Sequence, residues 1–190
     1  MEHSVFAMEI CARLEPESPL RVALREVVAE ALPRLSLHQK WQQYQRATAL
    51  LLDNLHLAER GCWDYFDNDE RARHDYDMWT QGMLTREGVR QQPSGLPDPY
   101  RGDPRYLTFT MALLMQQGSP SDRMVQQLCN IPEARLWHKD SFARILRGLG
   151  QVSFASVKSD VIYLIPRDDG WGLTAQDLTA KKFEYLRPMT

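Results

Sequence analysis

The chain has 190 residues, of which 43% are hydrophobic and 25% charged, with a formal net charge of −2. This length predicts one domain, and a composition so ordinary for a globular protein excludes wholesale disorder. A balanced charge gives no electrostatic signature for binding nucleic acid or an anionic membrane surface, so we expect neither partner.

The cysteines predict a reducing compartment. Cys11, Cys62 and Cys129 are odd in number, far apart and without a CxxC pair. Inert thiols in a cytoplasmic protein are therefore favoured over a redox or zinc role. The first residues carry acids at Glu2 and Glu9 and no basic stretch, which argues against a signal peptide. No apolar run approaches the ~18 residues of a membrane span, so no membrane insertion is expected.

Residues 4–14 predict the first strand, because Phe6, Met8, Ile10 and Ala12 alternate with a more polar set. We expect the apolar face to be buried and the face that carries Glu9 to be partly exposed. A helix follows, with Ser18 as a candidate N-cap, Pro19 in its first turn and Pro33 at its end.

Residues 36–88 predict a long antiparallel helical hairpin. Ser36 caps its first helix, and the apolar positions then recur in steps of four and three. The seam residues are Leu37, Trp41, Tyr44, Thr48, Leu51, Leu55 and Ala58. Asp67 and Glu70 fit a capping box for the second helix, which we expect Gly88 to end. The seam suits packing within the domain better than a dimeric coiled coil.

Residues 91–104 hold four prolines and two glycines and predict a loop, and residues 105–190 predict an α/β part. A buried strand is expected at residues 106–117, followed by helices capped by Ser119 or Ser121 and by Asp140. Residues 161–165 are entirely apolar and predict a central strand closed by Pro166, before a further helix capped by Thr174. The predicted fold is one α/β or α+β domain over residues 1–190, with a small three- to four-stranded sheet covered by helices.

The C-terminal half resembles the DUF1517 family. The resemblance rests on a strand at residues 107–110, a helix ending in Leu149-Gly150, a strand closing on Pro166, and the run 172–178 leading to Tyr185. Trp63 followed by Tyr65 is similar to that family's Tyr-Trp-x-Tyr segment. Leu164-Ile165-Pro166 stands where the family has Trp-Thr-Pro, and no proline follows Tyr185. The resemblance implies a similar order of strands and helices and transfers no catalytic residue.

An acidic segment gives the alternative, enzymatic hypothesis. Asp67, Glu70 and His74 have the spacing of one helix face, and His56 could face them across the hairpin. With either His56 or Asp168 as the further ligand, such a cluster would suit a metal-assisted hydrolase or lyase. Helix capping by Asp67 and Glu70 is the favoured interpretation, and a turn is favoured for residues 167–170. We therefore expect no cofactor.

Aromatic residues near breaks in the predicted elements give the favoured hypothesis. They are Trp63, Tyr65, Phe66, Trp137 and Trp171. Part-exposed aromatics with interspersed arginines are typical of protein–protein contact sites. No nucleophile elbow, phosphate-binding loop or HExxH motif occurs in the sequence. The sequence thus predicts a non-catalytic interaction or scaffold module that binds a protein partner or a second copy of itself, as a subunit of a larger assembly.

Overall fold

A computed structural model describes residues 2–14, 19–29, 35–81, 102–166 and 172–190. These residues form an α+β fold around one antiparallel sheet with the strand order β4-β3-β1-β2-β5. In chain order the elements are β1 (His3–Leu14), α1 (Leu20–Ala29), α2 (Leu37–Asp53), β2 (Ala58–Phe66), α3 (Asp69–Gln81), β3 (Arg105–Gln116), α4 (Pro120–Cys129), α5 (Lys139–Leu149), β4 (Val157–Ile165) and β5 (Arg187–Pro188). No helix in these ranges combines the length and the apolar composition needed to cross a membrane.

Two hydrophobic cores lie on opposite faces of the sheet. Helices α1, α2, α4 and α5 cover the face that carries Phe6, Met8 and Ile10. Helix α3 and the last segment, with Leu178, Phe183 and Leu186, cover the other face. The expected strand at residues 4–14 is confirmed as β1, but the expected exposure of its second face is wrong. Because α3 and the C-terminal segment pack there, Glu9 is only 1% exposed.

The predicted helical hairpin is wrong, because the strand β2 separates α2 from α3. Helix α2 begins after a capping box at Ser36 but ends at Asp53, where Asn54 caps it. Leu55 lies in a 3-10 turn, and Ala58 pairs with Ala12 of β1. The heptad spacing therefore continues beyond the helix by coincidence. The predicted sheet of three to four strands is correspondingly too small.

The strand at residues 161–165 is buried as predicted but is not central. It belongs to β4, which forms one edge of the described sheet and pairs with β3. Tyr44 of α2 and Tyr76 of α3 reach this strand with their hydroxyls, which donate to Val161 O (3.4 Å) and Ser159 Oγ (2.7 Å). Side chains from the helices on both faces of the sheet thus cover this edge strand. Its wholly apolar sequence therefore resembles that of a central strand.

The predicted caps have mixed outcomes. Ser119 caps α4, since its Oγ accepts from Asp122 N–H at 3.2 Å. Helix α3 begins one residue later than predicted: Asn68, not Asp67, accepts from Arg71 N–H (3.0 Å). Thr174 exchanges hydrogen bonds with Asp177, yet only a 3-10 turn follows. Residues 91–101 of the predicted loop at 91–104, the predicted turn at 167–170, Gly88 and Trp171 lie outside the described residues.

Candidate functional site

A groove of about 560 Å³ lies between the second half of β2 and helix α4. The β2 side supplies Trp63, Asp64, Tyr65 and the following Asp67. The α4 side supplies Gln126, Gln127, Cys129 and Asn130. The structure therefore places two of the predicted contact aromatics, Trp63 and Tyr65, in one concave surface. The polar residues of α4 were not predicted as part of a site, because the sequence of a short amphipathic helix does not show whether its polar face lines a groove or only contacts solvent.

The Trp63 ring is held at its polar end. Its Nε1–H donates to the carbonyl oxygen of Leu136 at 3.0 Å. The Trp137 ring lies beside it, with ring centroids 6.5 Å apart and planes tilted by 51°. The backbone of Trp137 is fixed in turn, because its carbonyl accepts from Thr190 N–H (3.1 Å). The two predicted tryptophans thus form one ordered wall beside the groove.

The Tyr65 ring is held by a buried carboxylate. Its hydroxyl donates to Asp122 Oδ1 at 2.7 Å, and Ser4 Oγ donates to the same oxygen at 2.5 Å. Gly118 N–H donates to Asp122 Oδ2 at 2.7 Å. Burial, followed by the contact with Asp122, raises the pKa of Tyr65 above its usual range, so the phenol stays protonated and keeps donating. Sequence reasoning missed Asp122, whose position suggests only an acid in the first turn of a helix.

Phe66 does not belong to the groove. Successive side chains of a strand point to opposite faces, and Phe66 packs against the core beneath α3. The Arg71 guanidinium lies 3.4 Å from the centroid of its ring, and Arg71 Nε lies 3.4 Å from Asp75 Oδ2. Of the five aromatics that the sequence singled out, the structure brings together Trp63, Tyr65 and Trp137. Trp171 lies outside the described residues.

The four residues of the predicted metal cluster are not gathered into one site. Asp67 lines the groove, and its carbonyl accepts from Gln117 Nε2 at 2.6 Å. Glu70 and His74 are exposed on α3, and His56 is exposed in the 3-10 turn before β2. Within the described ranges, no group of three or more His, Cys, Asp and Glu residues could hold a metal ion. The cluster required α2 and α3 to pack as a hairpin that brings His56 opposite His74, and the strand β2 between the two helices rules out that arrangement.

The electrostatics of the groove suit binding. Burial raises the pKa of Asp64, although the N–H of Tyr65 and the Arg71 charge work in the opposite direction. Burial, with a contribution from Asp64, raises the pKa of Cys129 to about 12. A thiol with so high a pKa is protonated at neutral pH and is a poor nucleophile. The groove therefore offers aromatic rings, amides and two carboxylates, which are groups that bind a ligand without reacting with it.

A second polar site is buried on the opposite face of the sheet. Glu9 pairs in register with Cys62 of β2 and Thr110 of β3, and Thr110 pairs with Tyr163 of β4. These four side chains form a row under the C-terminal segment, from which Tyr185 donates to Glu9 Oε2 at 2.6 Å. Burial raises the pKa of Glu9, so the site favours a neutral carboxyl group. This row is enclosed, whereas the groove is open to solvent.

Comparisons of the chain with protein-family models, with curated proteins and with solved structures find no match. The resemblance to the DUF1517 family therefore stays a prediction.

Proposed function

We propose that this chain is a non-catalytic protein–protein interaction module, a cytoplasmic subunit or scaffold of a larger assembly, whose partner binds in the groove between β2 and α4. The observation that carries the proposal is the pair of ordered aromatic rings, Trp63 and Tyr65, on one wall of that groove. Rigid aromatics with a polar handle are the residues on which protein interfaces most depend.

Preorganisation supports the proposal. Each ring is fixed by a hydrogen bond at its polar atom, to Leu136 O in one case and to Asp122 in the other. A side chain that is already ordered loses little rotamer freedom on binding, which otherwise costs about 0.5–1.5 kcal/mol for each immobilised side chain. The opposite wall presents the amides of Gln126, Gln127 and Asn130, which can both donate and accept hydrogen bonds.

Two matched variants test the proposal. Gln126→Arg places a long side chain in the groove, whereas Gln42→Arg makes the same change at an exposed position of α2. The tagged full chain is expressed in its own host and captured, and the molar mass of the captured complex is measured by light scattering. We expect the wild type and Gln42→Arg to carry a stoichiometric partner or a second copy, and Gln126→Arg to retain at least tenfold less.

Hydrogen exchange of the captured complex shows where the partner lies. Binding in the groove should slow amide exchange in β2 and α4 and leave α1 unchanged. Equal retention by Gln126→Arg and Gln42→Arg would place the partner elsewhere and overturn the proposal. A monomer with no partner, above all one carrying a divalent metal, would overturn it in favour of the enzymatic hypothesis.

A further inference from the structure

The groove lies along an outer edge of β2, and we infer that its occupant is an extended peptide segment carrying Lys or Arg, which adds as a strand to that edge. The inference rests on the proposed function and names the chemistry of the partner. It follows from the direction of the β2 backbone groups, from the strand that already pairs on the same edge, and from the charge of the groove.

The backbone directions follow from one hydrogen bond. In an antiparallel sheet, successive residues of a strand bond alternately to the two neighbouring strands. Gln117 N–H, just after β3, donates to Glu2 O at 3.0 Å. The backbone N–H and C=O groups of even-numbered β1 residues therefore point towards β3, and those of odd-numbered residues point towards β2. Ala7 therefore bonds to its register partner Asp64. The residues on either side of Asp64 point their N–H and C=O groups away from β1.

Those outward residues are Trp63 and Tyr65, the same two whose rings line the groove. The edge already accepts a strand just before them. β5 pairs antiparallel with β2 at Arg60 and Gly61, and Met189 N–H donates to Glu59 O at 2.9 Å. Beyond Gly61, no other strand in the described part of the chain pairs with this edge. A partner strand would therefore continue the sheet in line with β5, which is how β-strand addition supplies affinity.

The charge of the groove selects the partner. Asp64 and Asp67 line it, and none of the lining residues that the structure describes is a Lys, Arg or His. Two arginines lie near the groove and both are engaged: Arg71 with the Phe66 ring and Asp75, and Arg144 with the carbonyl oxygen of Gln127, to which it donates at 2.8 Å. A Lys or Arg of the peptide would meet the Asp67 carboxylate and the two aromatic rings, with the Asp64 carboxylate beside them at the strand edge, and these groups attract cations through both charge and π electrons.

Asp64 links the two parts of the inference. Its Oδ1 accepts from the N–H of Tyr65 at 3.0 Å, so its side chain covers one outward donor of the edge. Charged side chains at sheet edges protect them against unspecific pairing. A cation that draws the Asp64 carboxylate away frees the Tyr65 N–H for the incoming strand. A basic peptide can therefore pair with this edge, whereas a peptide without Lys or Arg finds the Tyr65 N–H already bonded to Asp64.

The test uses the full ¹⁵N-labelled chain and capped seven-residue peptides of alternating Lys and Val. We expect the peptide to shift the amide signals of Trp63 and Tyr65 and the Trp63 indole signal, with an affinity that falls as salt rises. A peptide with Glu in place of Lys, and a Lys peptide N-methylated along its pairing edge, should each bind at least tenfold more weakly. The double variant Asp64→Asn/Asp67→Asn should lose at least tenfold in affinity for the Lys peptide. Glu26→Gln, an exposed acid on α1 next to the opposite edge of the sheet, should stay within twofold.

The outcomes separate this inference from the proposed function. Equal binding of the Glu peptide or of the N-methylated peptide would overturn the inference, although the groove would still be a peptide site. The inference also fails if no peptide shifts the groove signals while Gln126→Arg still loses the cellular partner. If Gln126→Arg keeps its partner, the proposed function itself falls, whatever the peptides do.

Discussion

The hydroxyl of Tyr185 donates a 2.6 Å hydrogen bond to Oε2 of Glu9, and so joins the last segment of the chain to its first strand. Glu9 is 1% exposed, whereas Tyr185 is 41% exposed and packs edge-on against Trp79. Burial raises the pKa of Glu9, and the hydrogen bond from Tyr185, which favours the carboxylate, offsets only part of that rise. The contact is therefore one point at which the stability of the fold responds to pH.

The first prediction concerns the pH dependence of stability. Because the folded state binds the Glu9 proton more tightly than the unfolded state, stability is greatest below the unfolded pKa and falls as pH rises through the folded pKa. Glu9→Gln removes this titration, so the stability gained by the variant over wild type should grow from pH 4 to pH 8. Urea unfolding across that range measures it. Glu26→Gln, an exposed control, should leave the pH profile unchanged, and a constant difference between Glu9→Gln and wild type would contradict the prediction.

Tyr185→Phe should change the same profile in a different way. Loss of the hydroxyl removes the hydrogen bond that lowers the Glu9 pKa, so the fall in stability should move to higher pH. The lost hydrogen bond should cost about 1–2 kcal/mol of unfolding free energy. In the double variant Glu9→Gln/Tyr185→Phe, the pH dependence should be that of Glu9→Gln alone. A shift to lower pH on Tyr185→Phe would show that the hydroxyl does not favour the carboxylate.

The Asp122 carboxylate should contribute more to stability than its place in a helix suggests. Asp122→Ala leaves Ser4 Oγ, Tyr65 OH and Gly118 N–H without this acceptor, and we expect a loss of about 3 kcal/mol. The control is Ser119→Ala, which removes only the N-cap of α4 and should cost about 1 kcal/mol. Chemical unfolding gives both values. Equal losses would mean that Asp122 acts only at the helix terminus.

Local periodicity predicted most of the elements but not the contacts between them. β1 and β3 follow from alternation and β-branched or aromatic runs, and the caps at Ser36 and Ser119 follow from residue type. β2 was missed because Leu55 and Ala58 continue the heptad spacing of α2. Where a segment suits both a helix and a strand, its pairing with other parts of the chain determines which one forms, and here the pairing with β1 makes it a strand.

The candidate site was predictable only in part, for the same reason. Trp63 and Tyr65 stand out in the sequence because aromatics next to a break are often partly exposed. Asp122 and Ser4, by contrast, are 118 positions apart, and Tyr185 and Glu9 are 176 apart. No local pattern encodes such pairs, since they depend on the order of strands in the sheet. The burial of Glu9 likewise depends on a C-terminal segment that covers a face expected to be partly exposed.

Close packing at Gly61 gives the next prediction. A Cβ at this position would lie 2.7 Å from Phe142 Cε1, 2.9 Å from Phe142 Cζ and 3.1 Å from Glu9 O. Phe142 is fully buried and cannot turn away without cost. Gly61→Ala should therefore destabilise the fold by about 1–3 kcal/mol.

A double-mutant cycle assigns that loss to the ring. Phe142→Leu opens space at Gly61, so the cost of Gly61→Ala should be smaller in the Phe142→Leu background by at least about 1 kcal/mol. Gly102→Ala offers a contrast: its cost comes from a positive φ of 96°, with no atom within 4 Å of the added Cβ. Its cost should be the same in both backgrounds. Additive losses for Gly61→Ala and Phe142→Leu would show that the β2 backbone, not the ring, absorbs the methyl group.

The Cys129 thiol should report the electrostatics of the groove. Burial raises its pKa to about 12, the Asp64 charge adds to the rise, and the Arg144 charge opposes it. Since only the thiolate reacts, alkylation at pH 8 should be about 10³-fold slower than for a free cysteine. Asp64→Asn should lower the pKa and speed the reaction, whereas Arg144→Gln should slow it. Mass spectrometry of the peptide containing Cys129 separates it from Cys11 and Cys62, which are buried. If Cys129 reacted as fast as a free thiol, the groove would contain a nucleophile, and a purely binding role for it would no longer hold.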